Sequence, residues 1–73
     1  MGKLRVLSGD EVCVILTQHG FVKVRQRGSH VILQRTNDAG TTTVPVPLHC
    51  ELRRGTLGSI IRQSGLPRAE FEE

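Results

Sequence analysis

"FVKVRQRGSHVILQRTNDAGTTTVPVP", residues 21–47, is the stretch on which the fold turns. Its first part, "FVKVRQR", runs with a two-residue period: Val22 and Val24 to one side, Lys23, Arg25 and Arg27 to the other, as a half-buried strand requires. Gly28 and Ser29 interrupt it. "HVILQRT", from His30, is β-branched and apolar at its centre and predicts a second strand, and "TNDAGT" then supplies the Asn, Asp and Gly of a hairpin turn. "TTTVPVP" predicts a third strand. Pro45 and Pro47 each remove a ladder donor, so that strand belongs at the sheet edge or has those positions facing outward.

The flanks read as helices. In "SGDEVCVILTQHG", residues 8–20, Ser8 and Glu11 stand at capping-box spacing, and Val12, Ile15, Leu16 and His19 recur at helical intervals. Gly20 is placed to stop that helix in a left-handed conformation. "GTLGSIIRQSG", residues 55–65, predicts a second helix with Thr56 as its cap, Leu57, Ile60 and Ile61 on the buried stripe and Gly65 as its stop. Pro67 starts a final turn through Phe71. The expected fold class is therefore α+β: helix, three antiparallel strands, helix and a short C-terminal helical tail, with both helices on one sheet face. With 73 residues, 37% of them hydrophobic, the chain holds one core and one domain, residues 1–73.

Packing both helices on one side leaves the other sheet face open, and charge placement makes that face informative. The chain carries 10 Lys and Arg against 7 Asp and Glu, net +3. No acidic residue lies between Val12 and Asn37, a window that holds Lys23, Arg25, Arg27, Arg35, His19 and His30, while Glu70, Glu72 and Glu73 collect at the far end. The polar side of the first strand predicts three cations in a row about 7 Å apart, comparable to the spacing of successive phosphates in a nucleic acid strand. The opening "MGKLRVLSGD" holds no apolar run long enough for a signal peptide or membrane helix, and Val6 stands where a myristoylation motif needs Ser or Thr. The reading is a cytoplasmic protein without membrane attachment. Cys13 and Cys50 have no CxxC spacing, and reduced thiols packed as small apolar groups are expected.

Three segments together carry a resemblance: "HGF" at residues 19–21, "GSH" at 28–30, and P-x-H-x-E-L-x-x-G-T-L-x-x-I-I-R-Q from Pro47 to Gln63. In this order and over nearly the whole chain they resemble the HicA (YcfA-like) family. The resemblance implies a double-stranded-RNA-binding-domain type of fold and an mRNA interferase, the toxin of a type II toxin–antitoxin system, with His30 catalytic. It also implies mRNA as substrate and a HicB-type antitoxin as partner, one that a basic, acid-free face suits by charge and that would cover His30.

The chemistry of RNA makes such an assignment reasonable without a cofactor or metal. RNA supplies its own nucleophile: a base that takes the 2′-hydroxyl proton lets that oxygen attack the adjacent phosphorus, leaving a cyclic phosphate and a free 5′-hydroxyl. Histidine suits the task because its usual pKa of about 6.5 keeps a useful neutral fraction near pH 7. Arg25 and Arg27, with Lys23, are positioned to stabilise charge growing on the phosphate. Gly28 and Ser29 put no bulk beside His30, and their amides or the Ser29 hydroxyl can donate to phosphate oxygens.

Plainer readings stand beside these. A lone histidine opening a strand is usually a surface residue, "RGS" is usually a turn, and Lys23, Arg25 and Arg27 could be a solvated strand face. His49, in "PLHCEL", reads as part of the helix entry or as held by a partner, and His19 as a helix C-terminal residue interacting with the dipole. Adjacent His49 and Cys50 without a second pair make a poor metal site. The competing function class is a non-catalytic RNA-binding module on the same basic face. Phe21 and Phe71 are the chain's two aromatics, so either reading rests on backbone and shape contacts rather than base stacking.

Overall fold

The computed structural model describes residues 2–73, so Met1, with which the stretch weighed for lipid anchoring begins, lies outside the described residues. The elements are α1 (Gly9–Gln18), β1 (Val22–Arg27), β2 (His30–Asn37), β3 (Gly40–Pro47), α2 (Arg54–Ser64) and a terminal 3₁₀ turn, Arg68–Phe71. The strands form one antiparallel sheet in the order β1-β2-β3, which puts the two prolines on an edge strand as their missing donors require.

Local sequence accounts for α1. The Ser8 hydroxyl accepts from the Glu11 amide at 3.1 Å, and the Ser8 amide donates back to the Glu11 carboxylate at 2.8 Å. At the other end Gly20 takes φ +91°, while the amides of Gly20 and Phe21 donate to the carbonyls of Thr17 and Leu16. That pair of bonds is the Schellman pattern, and the completely buried Phe21 supplies the hydrophobic contact that accompanies it. Helix α2 departs from expectation at its start. It begins at Arg54 after Arg53, without a side-chain cap, so Thr56 lies in the first turn instead of capping it. Gly65 ends it at φ +72° as expected.

The helices cover one face of the sheet. Val12, Ile15 and Leu16 of α1 and Leu57 and Ile60 of α2 pack with Val31, Leu33, Val44 and Val46 of the sheet, and Phe71 of the terminal turn closes the same core. Both phenylalanines are at 0% exposure, so neither can stack on a base. Arg35 also faces inward. Its guanidinium lies 4.9 Å from the Phe21 ring centroid and donates to the carbonyl of His19 at 3.2 Å, joining the end of α1 to the sheet.

Candidate active site on the open sheet face

Directly paired residues of an antiparallel sheet share a face, so the register decides which side chains accompany His30. His30 opens β2 and pairs with Arg27 of β1 and Pro47 of β3; Ile32 pairs with Arg25 and Pro45. Val31 and Leu33 between them are buried against the helices. Arg25, Arg27, His30, Ile32, Pro45 and Pro47 therefore lie on the face away from the helices, and none of the strand residues there is acidic.

Lys23 does not join them. The register shifts between Lys23, which pairs with buried Leu33, and Arg25, which pairs with Ile32, leaving Val24 as an extra residue in a β-bulge. The bulge reverses the alternation, so Lys23 turns toward the helix side, where its charge acts on Cys13 of α1. The expected row of three cations is a pair, Arg25 and Arg27. The half-buried reading of β1 also fails: all six residues are exposed, with Val22 at 59% and Val24 at 48%, because even helix-side positions such as Gln26, opposite buried Val31, are left uncovered at this edge of the sheet. Arg35, counted by sequence within the same basic window, is withdrawn to the helix side.

The turn before His30 is built by Gly28, which takes φ +57° while Ser29, like every described non-glycine residue, has negative φ. This is the φ pattern of a type II′ hairpin turn, with glycine required at its first central position. A Cβ at Gly28 would meet nothing within 4 Å, so the space over the turn is open to solvent. The Ser29 carbonyl accepts the Leu48 amide at 2.6 Å, and His49 follows, exposed, with its own carbonyl accepting the Gly9 amide at 2.9 Å. His49 thus lies at the His30 end of the sheet and ahead of the α2 entry. Its place was hidden in the sequence because "PLHCEL" reads toward the helix that follows it.

The remaining candidates sort by burial. His19 is engaged at both ring nitrogens, Nδ1 with the Ile15 carbonyl at 2.8 Å and Nε2 with the Glu70 carboxylate at 2.9 Å, and so links α1 to the terminal turn. Cys13 is half-buried and its thiol is pushed up, first by burial and then by Asp10. Cys50 is exposed, contrary to the expectation of a packed thiol. The surface grooves, one lined by Arg5, Leu52, Arg53 and Leu57 and another by Leu7, Val14 and Ile15, lie away from His30. His30 lines neither of these grooves, and Arg25, Arg27, Ser29 and His30 are all exposed on the open face.

These features define a class: a small α+β domain whose uncovered sheet face presents two arginines beside an exposed histidine. A model of the family described as "HicA toxin of bacterial toxin-antitoxin" matches residues 9–66, from the start of α1 to just beyond α2. The chain belongs to the HicA toxin family. It is the toxin of a toxin–antitoxin pair, which implies an antitoxin partner. No curated protein matches it. Among the described residues no helix is long and apolar enough to cross a membrane.

Proposed function

We propose that this toxin is a metal-independent endoribonuclease, an mRNA interferase that cuts single-stranded RNA with His30 as general base and acid. The observation that carries the reading is the cross-strand pair Arg27–His30 on the open face, closed by the side-chain-poor turn Gly28-Ser29. An RNA backbone lying on that face brings a 2′-hydroxyl to the imidazole and the adjacent phosphate to Arg27 and Arg25. The guanidiniums then oppose charge that develops as phosphorus becomes five-coordinate, which stabilises the transition state more than the ground state. Ser29 and the Gly28 backbone line the approach. Because the 2′-oxygen is already part of the substrate, no bound metal is required to generate a nucleophile.

A HicB-type antitoxin that covers Arg25 to His30 silences the toxin by occlusion alone, and the cationic, acid-free face favours an acidic partner surface. Long single-stranded RNA incubated in EDTA with wild type and with His30→Ala tests the activity: cleavage by the wild type alone is expected. Cleavage by neither, with RNA still bound, leaves a non-catalytic RNA-binding module.

A further inference from the structure

An in-line displacement at phosphorus places the attacking 2′-oxygen and the leaving 5′-oxygen on opposite sides of the phosphate. One imidazole that takes the 2′ proton cannot at the same moment reach the 5′-oxygen, so in this step His30 serves as the base, and a second proton donor at this end of the sheet would replace water as the acid. Arg25 and Arg27 carry charge but do not release protons at neutral pH. The chain has three histidines, and both ring nitrogens of His19 are committed to the link between α1 and the terminal turn. His49 remains.

Its setting fits the task. Pro47 is the direct partner of His30, and His49 stands two residues further on, at most about 7 Å along the chain. The segment is held by two backbone bonds, Leu48 to the Ser29 carbonyl and Gly9 to the His49 carbonyl, which fix the main chain while the imidazole stays exposed. Leu48, partly buried, packs on the core and anchors the residue beside it.

We infer that His49 is the second catalytic residue of this site, the general acid that protonates the 5′-oxygen as it leaves; the inference rests on the reading of His30 as the base. In the step, His30 takes the 2′-hydroxyl proton, the 2′-oxygen–phosphorus bond forms, the phosphorus–5′-oxygen bond breaks, and an N–H of the His49 imidazolium passes its proton to that oxygen. The products are a 2′,3′-cyclic phosphate and a 5′-hydroxyl. His30 is left protonated and His49 neutral, and exchange with water restores both.

The experiment compares purified wild type, His49→Ala and His30→Ala on an RNA and on the same RNA with its scissile 5′-bridging oxygen replaced by sulfur. A thiolate leaves without a proton, so the sulfur substrate has no need of a general acid. His49→Ala is expected to lose about 10²- to 10⁴-fold on the oxygen substrate and to regain a rate near wild type on the sulfur substrate, whereas His30→Ala stays slow on both. Equal rates for His49→Ala and wild type on the oxygen substrate overturn the inference and leave His30 as the base. A His49→Ala defect equal on both substrates also overturns it, because misfolding or lost binding cannot depend on the leaving group. An active His30→Ala removes His30 as the base and the inference with it, and a wild type that cleaves neither substrate removes the ribonuclease reading as well.

Discussion

The carbonyl of Ser29 accepts the Leu48 amide at 2.6 Å, so the turn that precedes His30 and the chain leaving β3 are fastened to each other through backbone alone. With Arg27 and Pro47 paired on either side of it, His30 is held by main chain while its imidazole stays exposed. His30→Ala therefore removes chemistry and little packing. The expected result is a loss of about 10²- to 10⁴-fold in RNA cleavage, with unfolding free energy changed by less than about 0.5 kcal/mol in a urea titration. A large fall in the urea midpoint would return His30 to a structural role.

Gly28 carries the turn at φ +57° with open space around it. Backbone strain is then the whole effect of substitution there. Gly28→Ala should destabilise by roughly 1–2 kcal/mol, Gly28→Val should be worse because of its β-branch, and Gly28→Asn should be the mildest. Denaturant midpoints check the order, and a Val variant as stable as wild type contradicts it.

The bulge at Val24 separates Lys23 from the two arginines of the open face. Arg25→Gln and Arg27→Gln should each reduce the slope of log affinity for single-stranded RNA against log salt by roughly 0.7. Lys23→Gln should reduce it by less. Binding measured between low and moderate salt tests this, and slopes unchanged by the arginine variants would direct attention to Arg53, Arg54 and Arg62.

Two glycines should respond in opposite directions to alanine. A Cβ at Gly9 would lie 2.2 Å from the Pro47 carbonyl oxygen and 2.8 Å from Leu48 Cα, both backbone atoms that cannot swing aside. Gly9→Ala should destabilise by at least ~1–3 kcal/mol and, by displacing residues 47–49 beside His30, lower activity too. Gly58, inside α2, meets nothing within 4 Å, and Gly58→Ala should stabilise by ~0.5–1 kcal/mol. Thermal unfolding of the pair decides; shifts of the same sign would refute the contrast.

The Glu11 carboxyl is held below its ordinary value of 4.5, first by the Ser8 backbone amide and then by the Ser8 hydroxyl. A lowered folded-state pKa means that the carboxylate contributes stability above pH 4.5 and that this contribution is lost as pH falls below it. Full solvent exposure keeps the effect small and sensitive to salt. Glu11→Gln should flatten the fall in stability as pH drops below 4.5, and an unaltered acid limb would show that the cap does not drive it.

The ends of α1, the three strands and their turns were legible in the sequence because each depends on contacts only a few residues apart: Ser8 with Glu11, Gly20 with Thr17, Asn37 with Ala39, whose amide donates to the Asn37 side chain at 2.9 Å. The order of the motifs singled out His30 as the candidate, and the start of the second strand at that residue was legible from its β-branched run. The side-chain faces of β1 were not, since a strand keeps its alternation only while its partner keeps register. The unpaired Val24 reverses it through pairing with a strand several residues away. Arg35 looked like one more cation of a basic window until the fold set it over Phe21 and the end of α1. Local hydrogen bonds and side-chain period thus determined which elements exist. Which charges stand beside His30, and that His49 arrives at the same end of the sheet, were decided by long-range register and packing, which no local pattern encodes.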